Sequence, residues 1–185
     1  MKPLQSVAMG FVFIALYARL NGYDLYADPV GWVLVLLGVR RLPADLPHRT
    51  PLQYVGAVAA AVSVPMWFPV VRDALADADA SLGWAADLPA FAFTALLCHA
   101  LAAAAEEAGD VKPSQWLALV RTVVVAVAVL PVLVFGAGIS GLADPAALAA
   151  QAVYVVLVWL LFSYSGRTWS GAPVDENAAQ RPQAS

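Results

Sequence analysis

Two carboxylates, Asp24 and Asp28, stand four residues apart in the stretch Asn21-Gly-Tyr-Asp-Leu-Tyr-Ala-Asp-Pro-Val-Gly-Trp32. Three aromatic residues, Tyr23, Tyr26 and Trp32, flank them, and apolar runs lie on both sides. A desolvated carboxyl is a proton donor, and a neighbouring carboxyl held as an anion is its complement in acid–base work. Aromatic faces stabilise a nearby cation by about 0.5–2 kcal/mol each. Protonation chemistry that passes through a cation is therefore within reach of this stretch. The structural alternatives are equally concrete. Asp28-Pro29 reads as a helix N-cap followed by proline at the first helical position, with the carboxylate opposing the helix dipole. Asp24 has Arg19 as its nearest cation in sequence and can serve as a rim residue paired with it.

Other polar residues fall inside apolar runs and raise the same choice. Arg121 can pair with Glu106 or Glu107, or it can clamp an anionic head group. His99 is a bonded structural residue or a base. Tyr54 and Trp159 are aromatic residues that tertiary structure can add to Tyr23, Tyr26 and Trp32 as walls around a cation. No HExxH or other metal-ligand cluster, P-loop, Gly-x-Ser-x-Gly elbow or GxGxxG occurs, so no metal site and no cofactor is expected.

These residues must be positioned by membrane-embedded helices. The chain has 185 residues, 62% of them hydrophobic and 12% charged. A soluble domain is typically about 45–50% apolar and about 25% charged. With a mean hydropathy of +0.74, the chain needs lipid as its solvent, and the bilayer is its first partner. The net charge of −3, without a basic block, makes nucleic acid an unexpected partner. The lone Cys98 excludes an internal disulfide. The excess of Ala, Val and Arg suggests a GC-rich bacterial genome, hence a bacterial plasma membrane.

Six apolar segments, 4–20, 29–42, 52–71, 88–107, 114–136 and 146–165, predict an all-α polytopic bundle of five to six transmembrane helices over 1–165. The first segment reads as a retained helix and not a cleaved signal. The acidic 72–87 segment reads as a loop with room for a short amphipathic turn, and 166–185 as a polar, disordered cytoplasmic tail. With both termini inside, Lys2, Arg40, Arg41, Arg49, Lys112, Arg167 and Arg181 are cytoplasmic, and Arg19 and Arg72 are outside. Asp28 then lies about twelve residues, roughly 18 Å, above the Arg40-Arg41 boundary. That is within the bilayer, where irregular backbone survives only inside protein or along a cavity, and where an acid is by default functional.

The run Gly22-Tyr-Asp24-Leu-Tyr-Ala-Asp28-Pro-Val-Gly31-Trp32, followed by a short apolar helix and Arg40-Arg41, resembles a family of small bacterial membrane proteins with the pattern G-[FY]-D-x-x-x-D-x-x-G-[WY]. The chain is also similar to the small integral-membrane terpene cyclases of bacterial meroterpenoid pathways, which make drimane-type or indole sesquiterpenoids. That resemblance implies protonation of the terminal alkene or epoxide of a prenylated, farnesyl-type substrate. Asp24 would be the acid, with Asp28 holding it or exchanging roles with it, and Tyr23, Tyr26 and Trp32 would shield the carbocation. The chain lacks the Asp-Asp-x-x-Asp and Asp-x-Asp-Asp signatures of the soluble cyclases, so diphosphate ionisation is not expected. Two other classes remain open: a lipid-binding accessory subunit, and a small proton-coupled transporter, although no internal repeat is present.

Overall fold

The computed structural model describes residues 1–15, 19–20, 23–24, 28–132 and 143–173. These residues are all-helical apart from one short ladder. The helices are α1 (Pro3–Ala15), α2 (Asp28–Arg40), α3 (Arg49–Met66), α4 (Pro69–Ala78), α5 (Ala80–Glu107), α6 (Val111–Pro131) and α7 (Ala143–Tyr164). Between α1 and α2, β1 (Arg19–Leu20) pairs antiparallel with β2 (Tyr23–Asp24), in a register that sets Arg19 opposite Asp24.

The main packing pairs close a ring: α1 on α2, α2 on α3, α3 on α5, α5 on α6, α6 on α7, and α7 back on α1. The tightest contact is the antiparallel hairpin of α1 and α2. A Cβ at Gly10 would lie 2.5 Å from the Gly31 carbonyl oxygen, and one at Gly31 would lie 2.8 Å from the Gly10 carbonyl oxygen. Gly38 meets Val7 and Pro3 in the same way two turns further along the same face of α2. Glycine at these positions lets the two backbones touch, which is how helices gain packing energy where lipid supplies no hydrophobic drive. Ser6 adds a hydrogen bond from its Oγ to the Leu34 carbonyl, 3.0 Å away. At the centre of the ring Phe11, Trp32, Phe93 and Tyr154 form an aromatic cluster, with centroids 5.2–6.4 Å apart. Such tilted and edge-on pairs are worth about 0.5–1.5 kcal/mol each beyond burial.

Several boundaries differ from the sequence reading, each for a local reason. The apolar run 52–71 does not form one rod: with Pro65 and Pro69 in it, the helix ends at Met66 and α4 leaves at 93°. The segment 72–87, read as a loop, is helical except at Asp79. That residue caps α5 by accepting a hydrogen bond from the Ser81 amide at 2.8 Å. Residues 166–173, read as the start of a disordered tail, are packed. Thr168–Ser170 makes a 3-10 turn, Ser170 is buried, and Trp169 Nε1 donates to Asp110. Residues 174–185 lie outside the described residues.

Two of the described helices are long and apolar enough to cross a membrane, Ser81–Glu107 and Val111–Pro131, with the bent α3–α4 pair a third if it counts as one span. Helix α1 and the apolar part of α7, Leu148–Tyr164, are shorter. The outward faces are apolar, as lipid contact demands: Val58, Leu119, Val125, Val129 and Val155 are all exposed.

The glycine contact makes a direct prediction. Gly10→Val or Gly31→Val should cost about 1–3 kcal/mol or more by overpacking backbone against backbone. Gly83→Ala, whose Cβ meets nothing within 4 Å, should leave stability unchanged or raised by up to about 1 kcal/mol. Thermal unfolding of the variants in detergent micelles measures both.

Candidate active-site cavity

A cavity of about 490 Å³ opens at one end of the ring, where α1 and α3 finish and α2, α5 and α7 begin. Ile14 and Ala15 line it from α1, Asp28 and Trp32 from α2, Ala59, Ser63 and Met66 from α3. Asp87, Ala90 and Phe91 line it from α5, and Gln151 and Tyr154 from α7. The helical period explains the choice. Asp28 and Trp32 are one turn apart on α2, and Asp87 and Phe91 one turn apart on α5, so each acid sits beside an aromatic on the same face. Below Trp32 and Tyr154, the fully buried rings of Phe11 and Phe93 close the floor.

The two carboxylates stand differently. Asp28 opens α2, where the helix dipole favours negative charge. Asp87 lies mid-helix on α5 without such support, two residues before Pro89. That proline has no N–H to give the Ala85 carbonyl, which weakens the helix just beside the acid. Asp87 makes no hydrogen bond or ion pair among the described residues, and its surface is exposed, opening into the cavity. The Tyr154 hydroxyl is next to Thr94 and within electrostatic reach of both Asp87 and Asp28, and these three groups with Gln151 and Ser63 are the polar part of a chamber otherwise lined by apolar and aromatic residues. Ser63 is already occupied: its Oγ donates to the Ala60 carbonyl at 2.7 Å.

Of the residues singled out from sequence, Asp28 and Trp32 reach this cavity. The Arg19, Tyr23 and Asp24 backbones form the ladder above, and their side chains, like all of Tyr26, lie outside the described residues. Tyr54 and Trp159 do not line the cavity. They are 69% and 66% exposed on the outer faces of α3 and α7, the position of lipid-facing aromatic residues. Arg121 does not pair with Glu106 or Glu107, which are exposed at the end of α5; it bonds His99 instead, at 2.9 Å. The reading missed Asp87, Phe91 and Tyr154. Asp87 and Phe91 were findable, because Asp79-Ala-Ser reads as a cap and a helix begun there carries Asp87, Phe91 and Thr94 on one face. Tyr154 sits in the run Val-Tyr-Val-Val-Leu-Val, which no periodicity separates from a lipid-facing stretch.

No protein family, curated protein or solved structure matches the chain.

Site and scaffold residues should separate in a stability assay. Asp87→Asn should change folding stability by no more than about 0.5 kcal/mol, since the side chain bonds to nothing it would leave unpaired. Trp32→Ala, which removes a ring 2% exposed between Phe11 and Phe93, should cost about 3–5 kcal/mol. Paired denaturation curves in one detergent decide the point.

Proposed function

We propose that the protein is a multi-pass enzyme of a bacterial plasma membrane, both termini cytoplasmic, whose six ring helices span the bilayer. Its reaction is the proton-initiated cyclisation of a prenylated, farnesyl-type substrate. The observation that carries this reading is the cavity: two carboxylates from different helices over an aromatic floor, in a chamber whose volume falls within the roughly 300–1,000 Å³ of small-molecule sites.

The chemistry follows from what each group can supply. A prenyl chain dissolves in lipid and enters an apolar chamber without a desolvation cost. Asp87, unpaired and mid-helix, gives its proton to the terminal alkene carbon or epoxide oxygen. The π electrons of the neighbouring double bonds close the rings, and positive charge moves along the chain. Trp32, Phe91 and Tyr154 face that charge, each worth about 0.5–2 kcal/mol to a cation and more when dry. Asp28, kept anionic at the helix N-terminus, takes a proton from the carbon next to the final cation, and proton exchange between the carboxyls through the Tyr154 edge restores the start. The product is an isomer of unchanged mass with fewer alkenes, and no oxidant, reductant or metal enters the balance. This reading gives Asp87 the role that the sequence alone suggested for Asp24. An accessory subunit needs no such chamber, and among the described residues the core is not filled at this end of the ring.

Membranes containing wild type, Asp87→Asn, Asp28→Asn and Asp24→Asn, incubated with farnesylated aromatic and indole-type acceptors, provide the test. Wild type should yield the cyclised isomer by mass spectrometry and NMR. Asp87→Asn and Asp28→Asn should lose about 10²–10⁴-fold. Asp24→Asn should stay within about tenfold of wild type. Full activity in both of the first two variants, or no turnover by wild type across the panel, removes the proposal.

A further inference from the structure

A second group of titratable side chains lies at the opposite end of the ring, where α3 begins and α5 nears its end. The His99 ring on α5 stacks on the His48 ring, with centroids 5.1 Å apart and planes inclined by 29°. His48 immediately precedes α3, held there with φ 58°. From α6, Arg121 Nη1 lies 2.9 Å from His99 Nδ1. A guanidinium can only donate, so Nδ1 is the acceptor and the imidazole proton sits on Nε2. His99 therefore satisfies one of Arg121's donors as a neutral partner and leaves its charge uncompensated.

That charge is unusual for its place. Helix α6 is one of the two that can cross a membrane by length and composition, and Arg121 is ten residues inside it, part-buried. Arg167 pairs with Asp110, and among the described residues no carboxylate stands at ion-pair distance from Arg121. A cation at that depth without a counter-ion is costly, and membrane proteins meet the cost with a partner. The flanking Leu119 and Val125 on α6 are exposed towards lipid. Beside the stack, His48 and Arg49 share a surface groove with Thr50 and Gln53. Arg49 donates from Nη2 to the Arg40 carbonyl at 2.8 Å, while its buried Nε has no partner among the described residues.

We propose that Arg121, reaching from midway along α6 and supported by His99 and His48, is an anion-binding site that holds a phosphate group of an anionic amphiphile in the half of the bundle away from the cavity. A guanidinium fork matches two phosphate oxygens at once, and basic pockets between helices on a cytoplasmic side are suited to such head groups. The site is independent of the reaction proposed above, and its test reads binding and not turnover.

Detergent-purified full-length protein, reconstituted into mixed micelles of phosphatidylglycerol or phosphatidylcholine, is examined by native mass spectrometry for retained lipid. Wild type should retain phosphatidylglycerol about tenfold more than phosphatidylcholine, a preference that requires no variant to observe. Arg121→Gln, with unchanged helix content by circular dichroism, should retain phosphatidylglycerol only at the phosphatidylcholine level. Arg121→Lys, which keeps the charge and loses the fork, should fall between. Millimolar inorganic phosphate that displaces the lipid would assign the site to the free anion as well; failure to displace it would assign the site to the lipid-borne group. Equal retention of the two lipids by wild type, or undiminished phosphatidylglycerol on folded Arg121→Gln, overturns the proposal.

Discussion

The architecture depends on the close approach of α1 and α2 at Gly10 and Gly31. A single methyl at either position would press on the other helix's backbone carbonyl, so the crossing point is fixed to within one residue. Gly31 lies three residues after Asp28 and one before Trp32. Fixing Gly31 against Gly10 therefore fixes how far Asp28 rises above the crossing and which way Trp32 points. Trp32 then meets Phe11 of α1 and Phe93 of α5, and that aromatic floor holds the ring open above it instead of letting the helices collapse together. The acid end of the cavity is thus a consequence of packing one turn below it. In lipid, where apolar side chains gain little by leaving their surroundings, such steric fit carries more of the folding specificity than burial does.

The molecule separates its polar chemistry by depth. At one end, Asp28 and Asp87 face a chamber with Tyr154 between them and no cation near among the described residues. At the other, Arg121, His99, His48 and Arg49 gather basic groups, and the turn after α7 closes over Asp110 through Arg167 and Trp169. On α5 the acid Asp87 and the basic cluster's His99 are twelve residues, about 18 Å, apart. This separation along the bundle links the proposed proton chemistry to the proposed head-group site.

Much of the helix inventory was legible. Apolar runs bounded by Pro and Gly located α2, α6 and α7 to within a few residues, because lipid-facing composition is a strong signal. The failures came where another constraint prevailed. Asn21-Gly22 is a two-residue hairpin signal that the acids beside it drew attention away from, and the ladder of Arg19–Leu20 with Tyr23–Asp24 brackets it. Asp87 was assigned to a loop because three acids, Asp73, Asp77 and Asp79, precede α5 closely, although the cap at Asp79 marks where the helix starts. Tyr54 and Trp159 are chemically equivalent to Trp32 in the sequence; only tertiary packing turns one inward and two outward. Arg121's partner was misjudged for the same reason: Glu106 and Glu107 lie two turns further along α5, at its exposed end, and His99 is the residue within reach.

The central claim is that Asp28 and Asp87 face one chamber. Paired-cysteine crosslinking in native membranes tests it most directly, in a Cys98→Ser background carrying Asp28→Cys with Asp87→Cys, treated with a short bifunctional thiol reagent. The account expects an intramolecular crosslink joining an α2 peptide to an α5 peptide by mass spectrometry, formed far faster than in a control pairing Asp28→Cys with Leu119→Cys on the lipid face of α6. A pair at 28 and 87 that crosslinks no faster than that control would contradict it.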